Sequence, residues 1–136
     1  MHLVMAAALL AAPLTDEDPI CADLRLMSAA AADAGAWGAL YRSDYAPRLL
    51  RACFRGDGYL CSQTLLPPEI THATMATRIA ACLPGAVAAI APAEPRAAVK
   101  RTMVTGGGLV FELEESGSDR AHVGRMLRIE IRPAKP

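Results

Sequence analysis

The chain contains no asparagine, so it offers no N-glycosylation sequon. Aromatics make up only 4% of it, which leaves a thin core of Leu, Ile, Val and Met and makes any disulfide matter more. There is no excess charge of either sign, because Lys+Arg and Asp+Glu stand at 14 each. A balanced chain has no basic surface to displace counterions from nucleic acid, and no polybasic segment for an anionic membrane surface. Lysine is scarce beside arginine and alanine is abundant, a pattern of coding bias rather than function. Catalytic signatures are missing too: there is no GxSxG, HExxH or Ser-x-x-Lys. Cys21, Cys53, Cys61 and Cys82 lack a CxxC or a paired histidine, so the spacing of a structural zinc site is absent. No metal and no cofactor is expected.

Length allows one domain with a real core. Residues 1–12 read as a secretory signal peptide, with 13–136 as a single α+β domain. The apolar run from Leu3 to Ala12 is too short for the ~20 residues that span a bilayer, and it ends in the small residues of a cleavage region. No Lys or Arg precedes it, and Pro13 obstructs cleavage directly after Ala12. Cleavage at Ala11, a true start further upstream, or an apolar N-terminal helix packed on the fold are the alternatives. An even cysteine count in a short exported chain points to disulfides and to a periplasmic or secreted location, with no membrane insertion of the mature chain.

The stretch from Leu49 to Leu83 organises the rest. Two apolar runs flank Arg55-Gly56-Asp57-Gly58, and glycines beside an Asp supply the φ > 0 positions of a hairpin turn. Folding about Asp57 sets Cys53 opposite Cys61, where Cβ atoms lie ~4.5–5.5 Å apart, within reach of a disulfide. Two free, buried thiols are the alternative. Of the three possible pairings, Cys53–Cys61 with Cys21–Cys82 is preferred, the second bridge tying the start of one helix to the end of another.

Asp18 as cap and Pro19 at the first position start one helix, with a stripe of Ile20, Leu24, Met27, Ala31 and Ala34, and Gly35 as its stop. The acidic residues before it serve capping rather than a metal. Pro67-Pro68-Glu69 starts another helix, with His72, Met75, Ala76, Ile79, Cys82 and Leu83 on one face and Pro84-Gly85 as its end. Ala36 to Arg48 reads as a last turn or two and a loop that lids the core. The segment from Ala86 to Pro95 reads as a connector. Strand signals cover Ala97–Thr105, then Leu109, Phe111 and Leu113, then Leu127, Ile129 and Ile131. Period-two alternation means an antiparallel sheet with one wet face, on which Glu112 and Glu114 can meet Arg128 and Arg132. Gly106-Gly107-Gly108 joins two strands, so it is a turn or bulge rather than a phosphate loop.

These elements give an α+β fold in the order α-β-β-α-β-β-β: two helices packed on an antiparallel sheet of about five strands, stapled by disulfides. The element order is similar to that of the small α/β folds of secretion-chaperone-like and adaptor domains. The expected role is a small exported bacterial protein that binds a protein or peptide partner without catalysis, of inhibitor, immunity or adaptor type. Trp37, Tyr41 and Tyr45 are the candidate contact residues, because aromatics give area at low entropy cost, and His72 is added as a partly buried histidine. The same rings also serve simply to plug the core beside Phe54 and Tyr59. The competing class is a small hydrolase or small-ligand protein that uses His72 or His122 with a carboxylate such as Glu69 or Asp57.

Overall fold

The computed structural model describes residues 17–91, 98–120, 122 and 124–134. The apolar N-terminal run and its cleavage site lie outside them. In chain order the elements are α1 (Ile20–Ala31), α2 (Ala34–Arg42), β1 (Ala52–Arg55), β2 (Tyr59–Gln63), α3 (His72–Cys82), β3 (Val87–Ile90), β4 (Val99–Gly106), β5 (Leu109–Gly117) and β6 (Arg125–Pro133). The strands form one antiparallel sheet in the order β1-β2-β6-β5-β4-β3. The class is α+β, and the described residues hold three helices and six strands where two and about five were expected.

The extra helix is α2. Ala31 ends α1, and Asp33 then caps a new helix, its carboxylate accepting from Gly35 N and Ala36 N at 3.3 Å each. A capping carboxylate restarts the chain as helix where the sequence suggested a glycine stop. The extra strand is β3, inside the stretch read as a connector; it is a strand because it pairs with β4, from Val87↔Thr105 to Ile90↔Thr102. Two helix starts also differ. Pro19 stands at the cap of α1 rather than inside it, with Asp18 Oδ1 accepting from Ile20 N at 3.2 Å. The third helix starts at His72 rather than at Pro67, because Thr71 and Thr74 close a reciprocal capping box that satisfies two otherwise orphan donors. Pro67 to Ile70 forms a turn instead, closed by Ile70 N to Pro67 O.

All three helices lie on one face of the sheet. Leu24 and Met27 of α1 and Met75, Ala76 and Ile79 of α3 meet Val104, Phe111, Leu113, Leu127 and Ile129, all buried. Burying one such side chain contributes ~1.5–3 kcal/mol. Both expected disulfides are present, Cys21–Cys82 and Cys53–Cys61. The opposite face is open and charged. Arg132 donates to Glu112 at 2.7 Å, as the alternation suggested, whereas Glu114 stands opposite Arg128 but pairs with Arg101 of β4 at 3.2 Å. Arg128 turns to Glu130 on its own strand. Exposed pairs of this kind contribute only ~0.2–1 kcal/mol each. Among the described residues, no helix is long and apolar enough to cross a membrane.

Candidate functional site

The tip of the β1–β2 hairpin is held tightly, with Gly56 and Asp57 exposed and Gly58 buried. Gly56 N donates to Gly58 O at 2.9 Å and closes the turn. A Cβ on Gly58 would lie 2.2 Å from the Ile131 carbonyl oxygen, so only glycine lets the tip pass so close to β6. Gly56, by contrast, does not use a positive φ, so the pair of glycines expected to share that role divides it unequally. Below the tip, Cys53 and Cys61 face each other across the ladder and are bonded.

The tip is also tied to α2. Tyr41 donates its hydroxyl to Gly56 O, and Arg55 donates to Tyr41 O at 3.0 Å and Ser43 O at 3.3 Å. A guanidinium at the C-terminal end of a helix satisfies free carbonyls and suits the dipole. Under this tie lies Tyr59, fully buried, with Trp37, Tyr41 and Tyr45 around it at ring-centroid distances of 5.6, 5.9 and 5.9 Å. Edge-on and tilted contacts of this kind are the favoured aromatic geometry. The Tyr59 hydroxyl has no hydrogen-bond partner among the described residues, and burial pushes its phenol up, with Arg55 opposing. Tyr45 differs, since its hydroxyl donates to Asp23 Oδ1 at 2.6 Å while Arg48 N donates to Asp23 Oδ2. Burial first, then the Asp23 carboxylate, holds the Tyr45 phenol far above its ordinary range.

Two clefts share Gly56, Asp57 and Gly58. One, of ≈ 310 Å³, is completed by Trp37, Gly38 and Tyr41. The other, of ≈ 250 Å³, is completed by Tyr59, Leu60, Glu130, Ile131 and Arg132. The tip therefore stands as a rigid ridge between an aromatic wall and a charged one. This surface presents aromatic rings, backbone polar groups, the exposed carboxylates of Asp57 and Glu130 and the Arg132 guanidinium. Among the described residues, no group of three or more His, Cys, Asp or Glu side chains could hold a metal ion.

His72 is not part of this surface. It opens α3 above β4 and β5, its Nδ1 2.6 Å from Thr102 Oγ1 and its backbone N–H donating to Glu115 Oε1 at 2.8 Å. Burial pulls its imidazole below the ordinary value, partly offset by Glu115 and reinforced by Lys100. Glu115 is buried and meets Arg125 at 3.4 Å, and Arg125 also donates to Ile70 O at 2.9 Å and Pro67 O at 2.8 Å. This network fastens the turn before α3 to the sheet. Neither Glu69 nor Asp57 hydrogen-bonds His72, and His122 is exposed in the loop after β5. Sequence reasoning missed Glu115, although its parity with Leu113 and Phe111 places a carboxylate on the buried face.

Compared with family models, curated proteins and solved structures, the chain matches none of them.

Proposed function

We propose that the protein is a small exported bacterial domain that binds a protein or peptide partner without catalysing a reaction, in an inhibitor, immunity or adaptor role. The observation that supports this most is the fixed ridge Gly56–Gly58 with Trp37 and Tyr41 beside it. A surface held by a disulfide and by hydrogen bonds loses little entropy on binding, and Trp and Tyr are the side chains that most often dominate interface energies. Two disulfides support a periplasmic or secreted location, because such bonds persist in oxidising compartments.

The test is a photo-reactive side chain placed at Asp57 in the native host, with Thr77 on the exposed side of α3 as control. A discrete partner captured from position 57 and not from 77 is expected. With that partner purified, Trp37→Ala should weaken binding at least about tenfold, ~1.4 kcal/mol. Asp57→Arg, at an exposed tip, reads the same surface without disturbing the packing around Tyr59. Equal capture at both positions, or unchanged affinity in both variants, would sink the reading.

A further inference from the structure

The other end of the sheet carries a different kind of surface. β3 is an edge strand, and within Val87–Ile90 there is no charge, proline or bulge: no charged residue lies between Leu83 and Ala93, and the four residues pair one for one with β4. Natural edges are normally protected by charge, proline or a bulge, because free N–H and C=O groups template further pairing. Here Val87 is 62% exposed and Ile90 47%, and Met103, opposite Ala89 on β4, is 41% exposed. The β1 edge is built differently, ending in Arg55 and tied to α2.

We infer that β3 is a homodimerisation edge, on which a second copy of this chain pairs antiparallel about Ala89. The backbone sets the register. Ala91 N donates to Arg101 O, so Val87, Ala89 and Ala91 turn their polar groups toward β4, while Ala88 and Ile90 turn theirs outward. Antiparallel pairing about Ala89 sets Ala88 opposite Ile90 of the second copy, a pair that exchanges both backbone hydrogen bonds. The same register sets Val87 opposite Ala91, so each large side chain meets an alanine and none meets its own kind. Self-complementarity at every position is what a two-fold interface demands. The strand brings no charge to the axis, and the chain as a whole is neutral at 14 against 14, so two copies approach without net repulsion. Two six-stranded sheets then become one continuous sheet, and this edge lies at the far end from the Gly56–Gly58 ridge.

Sedimentation velocity of the oxidised protein from low to high micromolar concentration tests the inference. Mass rising from one chain to two is expected. Ile90→Lys, at a half-exposed position, should move the midpoint at least about tenfold toward higher concentration. Ala89→Cys reads the register separately: at the two-fold axis the two thiols lie within ~4.5–5.5 Å between Cβ atoms and should form an intermolecular disulfide, whereas Thr105→Cys, one strand inward, should not. A single-chain mass throughout, a dimer indifferent to Ile90→Lys, or equal cross-linking of the two cysteine variants would overturn it. So would a β3 edge that captures a foreign extended peptide while the chain itself stays monomeric.

Discussion

At the scale of single residues, Tyr45 and Tyr59 occupy one aromatic cluster yet stand on opposite sides of the hydrogen-bond balance. Tyr45 donates to the Asp23 carboxylate at 2.6 Å, and a hydrogen bond of this kind contributes ~1–2 kcal/mol. Tyr59 buries a hydroxyl without a partner among the described residues, which costs free energy and leaves nothing to lose when it is removed. Tyr45→Phe should therefore destabilise the protein by about 1–2 kcal/mol, and release the loop that Asp23 also holds through Arg48 N. Tyr59→Phe should be neutral or stabilising by up to ~1 kcal/mol. Urea unfolding of both variants with the disulfides intact decides the matter. A Tyr59→Phe loss as large as that of Tyr45→Phe would mean that the Tyr59 hydroxyl is satisfied after all.

At the scale of elements, the two disulfides carry unequal loads. Cys21–Cys82 closes 61 residues and joins the start of α1 to the end of α3, whereas Cys53–Cys61 closes 8 within one hairpin. Loop-closure entropy gives ~4 kcal/mol for the first and ~2.5 kcal/mol for the second. Replacing both cysteines of the long bridge by alanine should cost more stability than replacing both of the hairpin bridge, by roughly 1–2 kcal/mol. An equal or reversed order in denaturant midpoints would count against the chain-entropy account. The preferred pairing is the one present: turn residues suggested the hairpin register and capping and stop signals the ends of the long bridge, although the sequence alone left three pairings open. α2 and β3 were not legible. Gly35 and Gly38 lower helix propensity inside α2, and Asp33 outweighs them only as a cap. β3, four residues of Val, Ala and Ile, has no readable alternation, and its strand character comes from β4 across the ladder. The aromatics of the candidate site were legible as a cluster, but Tyr59 as their centre required the register that sets it opposite Ile131.

At the scale of the whole molecule, stability against acid should fall in two steps with different owners. The imidazole of His72 is surrounded by Thr102 and Lys100 from β4 and Glu115 from β5. Burial, with Lys100 adding to it and Glu115 opposing, holds it below its ordinary value of 6.5. The fold therefore favours the neutral ring, and below 6.5 the unfolded chain binds more protons than the folded one. Its contribution is complete above 6.5 and drains away as pH falls from there through the depressed folded value. The lower step belongs to Asp18 and Glu112, held below their ordinary values of 3.8 and 4.5 chiefly by hydrogen bonds from Arg78 and Arg132. Their contributions are complete above those values and vanish as pH falls through the lowered ones. His72→Gln, which keeps a polar side chain near Thr102, should remove the upper step and leave the lower. The measurement is the unfolding free energy from urea curves between about pH 7.5 and 5.5, where the carboxylates stay ionised. Wild-type stability declining over that window while the variant stays flat assigns the step to His72. Parallel slopes would place it elsewhere in the molecule.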